Sequence, residues 1–378
     1  MELLGATLTE LQQYCEELDQ PAFRGKQIAG WLYKKAVSDI DEMTDLPKPL
    51  RVRIGETATL SRARIVTETA ASDGVRKFLL ELPDGHRIES VLLPCPDRLT
   101  ACVSTQVGCA AGCVFCASGE LGLARNLTGG EIVDQVLTLR ERANLPLTPS
   151  DTEGEPCSLP ASGRVGEGSR DGHRKARVTN VVYMGVGEPL LNYENVVKSV
   201  RLLKDEVGIS ARHISVSTVG VTPRIRRLAA EKLQITLAIS LHAPEDALRR
   251  ELMPLAGRYP LAGLMKACRD YADTTGRRVT MEYLLLAGIN DSTAQARQVA
   301  ALLKGGLFNV NLIPYNPVPG SGYKRPRSAA VAAFRKTLED AGLAVTQRFE
   351  RGDAITAACG QLRRSKSDRI DGDGHPVS

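Results

Sequence analysis

No apolar run in this chain approaches the roughly 20 residues that a bilayer-crossing helix needs, so no membrane span is expected. The start, Met1-Glu-Leu-Leu-Gly5, has no basic stretch leading into an apolar one. No secretory leader is read there, and the cytoplasm is the expected location. Disulfides are not expected as a framework either. The nine cysteines (Cys15, Cys95, Cys102, Cys109, Cys113, Cys116, Cys157, Cys268 and Cys359) are odd in number and unevenly spaced, as in a compartment where thiols stay reduced. Aromatics are scarce at 4%, with Trp31 the single tryptophan. What is present is ordinary for a globular protein: 378 residues, 43% hydrophobic and 25% charged, enough for one large domain and a smaller one. The net charge of +5 is compatible with a polyanionic partner without requiring one.

Residues 1–60 read as a small helical module. Phe23 to Lys35 has apolar residues at helical spacing with basic ones between them, and a second short unit runs from Asp39 to Gly55. Across 61–98 the pattern changes: apolar residues cluster or alternate from Val75 to Leu82 and from His86 to Leu93, around Pro83-Asp84-Gly85. Asp-Gly between two such runs predicts a hairpin and a short antiparallel β extension. From 99 to 350 strands and helices alternate. Strands are expected at 100–106, 179–184, 213–217, 235–240, 279–286 and 309–313, and helices near 129–143, 193–206, 222–231, 261–275, 292–304 and 327–342. Six such units make the fold class α/β, an incomplete (βα)6 barrel of parallel strands with crossover helices. Residues 145–177, rich in Pro, Gly, Ser, Asp and Glu, read as a mobile insertion carrying an incidental Cys157. The last stretch, 351–378, holds Cys359 and a polar tail expected to be disordered.

The densest chemistry is Gly108-Cys-Ala-Ala-Gly-Cys-Val-Phe-Cys-Ala117, three thiols at C-x3-C-x2-C with no fourth cysteine nearby. A closed iron–sulfur or zinc site takes four protein ligands, so three point to a cluster with one metal corner left open. The alternative is a zinc knot borrowing a fourth ligand such as His242. The loop follows the first barrel strand, and active sites of β/α barrels gather at strand C-terminal ends. Met184-Gly-Val-Gly-Glu-Pro-Leu-Leu-Asn192 ends the second strand; its glycines allow close backbone approach to a ligand, and Glu188 offers a carboxylate to an ammonium group. Ser217-Thr-Val-Gly220, Ser240-Leu-His242 and Asn316 in Pro314-Tyr-Asn-Pro317 end later strands, each with a small polar group on the same rim. Cys102 and Cys359, read from the residues alone, are small buried apolar side chains. Glu89 reads as an ordinary strand carboxylate.

Together these motifs resemble the radical S-adenosylmethionine (SAM) superfamily. Within it the chain closely resembles the dual-specificity RNA methyltransferases that methylate carbon 2 of adenosine in 23S rRNA and tRNA. The resemblance runs from about Phe23 to Leu362, interrupted by the 145–177 insertion. Its specific marks are the cysteine loop, Met184 to Asn192, Ser240-Leu-His242 and Ala357-Ala-Cys-Gly-Gln-Leu362. It implies a radical-SAM barrel in which Cys109, Cys113 and Cys116 hold a [4Fe–4S] cluster whose open iron takes the amino and carboxylate groups of SAM. Gly187, Glu188, Ser217, Ser240, Leu241, His242 and Asn316 match SAM-contacting positions. Asn192 matches the end of the glycine motif with no assigned role.

The resemblance also implies the use of the remaining cysteines. Two SAM molecules are consumed per turnover: one methylates Cys359, and a second is cleaved to a 5′-deoxyadenosyl radical that takes hydrogen from the S-methyl group. The thiomethylene radical adds to adenine, giving a covalent protein–RNA adduct. Cys102 resolves it by attacking the Cys359 sulfur, forming a transient disulfide, while Glu89 accepts the ring proton. Implied partners are 23S rRNA, tRNA and a low-potential electron donor such as flavodoxin, with the protein a monomer. RNA-facing charge is expected from Arg24, Lys26, Lys34 and Lys35 of the helical module, from Arg62, Arg64, Arg76 and Lys77 around the hairpin, and from Lys324, Arg325 and Arg327. A related carbon-8 adenosine methyltransferase with the same cysteine chemistry is the nearest alternative. A glycyl-radical activase, which has no use for Cys359, and an iron–sulfur-stabilised RNA-binding protein, which would bind RNA without cleaving SAM, are others.

Overall fold

In the computed structural model the described residues are 1–119, 122–143, 177–317, 321–348 and Leu362. Cys157, Cys359, all but Arg177 of the expected insertion, and the tail beyond Leu362 lie outside them. The chain opens with α1 (Leu8–Glu17), started by a capping box in which the Thr7 hydroxyl accepts from the Glu10 amide and the Thr7 amide donates to the Glu10 carboxylate at 2.7 Å. Then come α2 (Phe23–Ala29), a π-helical continuation over Gly30–Lys35, and α3 (Lys48–Thr57). The spacing read at 23–35 turns Ile28, Leu32 and Tyr33 inward.

Ten strands form one open sheet: β1 (Arg64–Ala70), β2 (Arg76–Glu81), β3 (Arg87–Cys95), β4 (Arg98–Cys102), β7 (Asn180–Tyr183), β8 (Ile214–Thr218), β9 (Thr236–Ser240), β10 (Val279–Leu285), β11 (Phe308–Pro314) and β12 (Ala344–Gln347), paired in that order. Two further strands, β5 (Gln106–Gly108) and β6 (Leu123–Asn126), make a separate antiparallel ladder. Pairing is antiparallel from β1 to β4 and parallel from β4 to β12. The hairpin at Asp84-Gly85 thus runs into the parallel strands without a break. Helices α4 (Gly129–Arg142), α5 (Tyr193–Leu202), α6 (Thr222–Ala230), α8 (Leu261–Thr275), α9 (Thr293–Leu303) and α10 (Ser328–Asp340) are crossovers, and the short α7 (Asp246–Leu252) precedes α8. Among the described residues no ladder closes the sheet, so the incomplete barrel expected from six units stands, with β12 as a further parallel edge strand. The first expected strand, 100–106, instead stops at Cys102 and the separate ladder begins at Gln106.

Strand alternation explains why the barrel has a wet interior. In β8, Ile214 and Val216 are fully buried while Ser215 and Ser217 face the lumen; in β10 and β11, Thr280, Glu282, Asn309 and Asn311 do the same. A closed β/α barrel fills this space with Val, Ile and Leu, whereas this one leaves it polar and open. The apolar core runs unbroken from Leu3 to Leu338. The helical module is tied to α4 by polar bonds as well: Arg140 donates to the Tyr33 carbonyl at 3.0 Å, and Arg62, just after the module, donates to the Ala36 carbonyl and pairs with the buried Asp134. Among the described residues no helix is long and apolar enough to cross a membrane.

Candidate active site

Backbone geometry sets the cysteine loop. Gly108 has φ +78°, and a Cβ there would lie 1.9 Å from the Gly122 carbonyl oxygen, so only glycine lets the chain turn into the loop beside β6. The Cys109 amide donates to that same carbonyl at 2.9 Å, and the Ala111 amide donates to Cys109 Sγ at 3.4 Å. The C-terminal end of α7 pins the far side, where the Val114 amide donates to Leu252 O at 3.1 Å. Cys109, Cys113 and Cys116 then line one wall of a cavity of about 160 Å3 at the C-terminal ends of the parallel strands. Burial pushes the Cys109 thiol up to about 12 and raises Cys113 as well. Buried, protonated thiols are what a metal would convert to thiolates.

Opposite them lies the glycine motif. Gly187 has φ +114°, and a Cβ there would meet Thr105 Oγ1 at 2.7 Å. Glu188 is fully buried, and burial raises its pKa, although its two oxygens accept amides from Leu190 (3.0 Å) and Val219 (2.8 Å). These bonds fix the carboxylate on the cavity wall, where a ligand ammonium would find it. Asn192 is a staple: its amide donates to Thr105 O (2.8 Å) and Leu127 O (2.7 Å), joining the segments that flank the cysteine loop.

His242 sits in the left-handed region, φ +54°, with Nδ1 accepting from the Leu284 amide at 3.0 Å. Burial, reinforced by the Arg249 charge, lowers its pKa to about 3, so the ring is neutral. It meets Phe115 edge-on at 5.1 Å, which places Phe115 against the His242 wall. Buried Arg249 clamps the ends of β8 and β9 by donating to the Val219 and Ser240 carbonyls.

Of the expected positions, the three cysteines, Gly187, Glu188, Ser217, Ser240 and His242 share this one cavity. Leu241 does not reach it: its side chain is in the core, and its amide donates to Glu282 O at 3.0 Å. Asn316 lines a second cavity, of about 600 Å3, together with Cys102 and Leu362. There its Oδ1 is buried with no hydrogen-bond partner among the described residues. Glu89 is buried and ion-paired with Lys77 at 3.1 Å. By alternation along β3 it shares a face with Val91, which pairs directly with Cys102. Cys102, Val75, Val91, Val186 and Leu362 form a small apolar cluster of their own, and Ser118, beside the cysteine loop, donates to Leu362 O at 2.5 Å. Glu282 and Arg348, which line both cavities, were not anticipated. A carboxylate at an inward position of the otherwise apolar Val-Thr-Met-Glu-Tyr-Leu-Leu strand was the available signal for Glu282.

Among the described residues no three His, Cys, Asp or Glu side chains converge on a point one ion could occupy. The donor set is nonetheless suited to a cluster, whose thiolate ligands are spread over separate irons. A pinned carboxylate and a glycine cradle beside three thiols suit an amino-acid-bearing nucleoside on that cluster, and the orphaned Asn316 oxygen faces the adjoining cavity.

Residues 1–60 match the family model for the ribosomal RNA large subunit methyltransferase N-terminal domain, and residues 168–298 match that of the Radical SAM superfamily. A probable dual-specificity RNA methyltransferase RlmN from Gloeobacter violaceus is 47% identical over 362 residues, covering 96% of this chain and 95% of that protein. Its counterpart from Synechocystis sp. is 45% identical over 97% of this chain and 96% of its own. The crystal structure of a radical SAM methyltransferase from Sphaerobacter thermophilus, 44% identical, superposes with a TM-score of 0.84 over 96% of this chain and 99% of that one.

Proposed function

The chain belongs to the dual-specificity RNA methyltransferases of the RlmN type, radical SAM enzymes, and from that premise we propose that it methylates carbon 2 of adenosine in 23S rRNA and in tRNA through Cys359 and Cys102. Family membership implies SAM and a [4Fe–4S] cluster, which when bound supply a transferable methyl group and a reductively generated carbon radical. Cys109, Cys113 and Cys116 would hold the cluster. Gly187, Glu188, Ser217, Ser240 and His242 would hold SAM against it, the Leu241 backbone would support that wall, and Asn316 would meet SAM from the second cavity.

The protein's own residues then do the rest. The Cys359 thiol takes a methyl group; one of its hydrogen atoms leaves to the carbon radical, the remaining methylene bridges Cys359 to the ring carbon, and the unpaired electron left on the ring would return to the bound cluster. Glu89 accepts the proton that leaves that carbon. The Cys102 thiolate attacks the Cys359 sulfur; an S–S bond forms, the sulfur–carbon bond breaks, and its electron pair stays on the departing carbon, which takes up a proton as the new methyl group. A thiol reductant restores both cysteines. Two SAM molecules are used per turnover, and a flavodoxin-like protein delivers the electron. Residues 1–60 form an RNA-engaging module and 61–98 a β extension to the barrel of 99–350; residues 351–378 bring Cys359. The enzyme works as a cytoplasmic monomer.

One observation supports this reading above the others. Leu362, three residues after Cys359, packs against Cys102 on the face that carries Glu89, next to the three-cysteine cavity. The test is to incubate cluster-loaded protein with SAM, a reductant and unmodified 23S rRNA fragment or tRNA, then digest and weigh the nucleosides. 2-Methyladenosine is expected; its absence with an intact cluster, or 8-methyladenosine in its place, overturns the proposal.

A further inference from the structure

Among the described residues four side chains line both cavities: Met184, Glu282, Ile313 and Arg348. One cavity holds the three cysteines and the other holds Cys102. On the reading of function given above, the base under modification must be reached from both, so it belongs where they meet. Glu282 is 6% exposed, and one carboxylate oxygen accepts from the Asn311 amide at 2.7 Å. Register fixes its height in the lumen, level with Ser240 on β9 and Asn311 on β10's other neighbour, β11. Burial raises the Glu282 pKa, and the charge of Arg348, just after β12, acts against that rise in favour of the carboxylate. Met184 and Ile313 add a polarisable thioether and a branched alkyl surface. An acceptor, a donor and two apolar side chains at one constriction are what a flat heterocycle with an exocyclic amine requires.

We propose that this junction is the pocket for the target purine, with Glu282 accepting from the exocyclic amino group of adenine, Arg348 donating to a ring nitrogen, and Met184 and Ile313 covering the ring faces. Glu282 is then a specificity-determining residue. A 6-oxo purine presents an acceptor at the same place, which an anionic carboxylate repels.

The experiment compares three RNAs that differ only at the target nucleotide: adenosine, purine riboside without the amine, and inosine. Ratios of kcat/KM are taken within each protein and then compared between proteins, so the intrinsic reactivity of each ring cancels. A hydrogen bond to a charged group is worth about 10–100-fold. The adenosine-to-purine-riboside ratio is therefore expected to fall by about that factor from wild type to Glu282→Leu. In Glu282→Gln, whose amide can also donate, the inosine RNA is expected to gain on the adenosine RNA. Equal ratios in wild type and Glu282→Leu overturn the assignment, as does an equal loss on all RNAs accompanied by weaker SAM binding. If the leucine variant is inactive throughout, the glutamine variant decides: an unchanged inosine ratio overturns the assignment. Failure of the broader reading looks different, because wild type itself would then yield no 2-methyladenosine.

Discussion

His242 has a backbone in the left-handed region and a ring that burial keeps neutral, with a pKa near 3 against an ordinary 6.5. The unfolded chain therefore binds a proton that the folded one refuses. This contribution to stability is complete above the ordinary value and is lost as pH falls toward the folded one. Between pH 7.5 and 5.5 the loss is about 1.4 kcal/mol. His242→Asn, which tolerates the same backbone, should show a correspondingly smaller pH dependence in urea unfolding; an identical slope would rule this out. Cys102 makes a chemical prediction at the same scale. Cys102→Ala should leave a covalent protein–RNA species that survives a denaturing gel, and its absence would count against Cys102 as the resolving thiol. The cysteine triad, the glycine motif and the strand-end serines could be read from the chain because their spacing carries chemistry locally. That Glu282 and Arg348 line the same cavities could not, since they come together only through the order of the strands.

At the scale of elements, the crossover units were legible because each buried helix or strand repeats its apolar period for several turns or residues. Helix α8 coincides with its expected span, 261–275. Strand β12, four residues long at a sheet edge, offers no such repeat. Strand β1 alternates with too many charged and hydroxyl side chains to stand out. Helix α7 was hidden because its inward face carries Arg249, a charged residue buried by pairing with carbonyls rather than by apolarity. The role of Asn192 was also invisible, since its two acceptors come from loops 87 and 65 residues away. Asn192→Ala strands the buried Leu127 carbonyl, at about 1–3 kcal/mol, while the Thr105 carbonyl keeps the Leu127 amide at 3.0 Å. The variant should melt lower and load less cluster than wild type; an unchanged melting temperature would show the staple to be dispensable.

Across the whole molecule, one apolar core joins the helical module to the barrel. The Arg62–Asp134 pair lies at the junction, with Asp134 only 2% exposed. The Ala63 amide also donates to that carboxylate, at 2.6 Å. Arg62→Ala leaves a buried carboxylate without its cation, a loss of about 3–5 kcal/mol. It should lower the unfolding midpoint of the module and barrel together, in one transition; separate transitions would show that the module folds independently. Leu362 has a consequence of a different kind. Three residues of chain span at most about 11 Å, so a thiol three positions from a docked leucine is confined to a small sphere. One molecule in that volume is at an effective concentration of roughly 0.3 M, far above millimolar free thiols. The disulfide step should thus be indifferent to added small thiols in the wild-type enzyme. Leu362→Asp, which undocks the anchor, should make product release dependent on them, a difference readable by titrating a monothiol into a single-turnover reaction. The tether protects the adduct from the cell's own reductants by crowding them out rather than by walling them off.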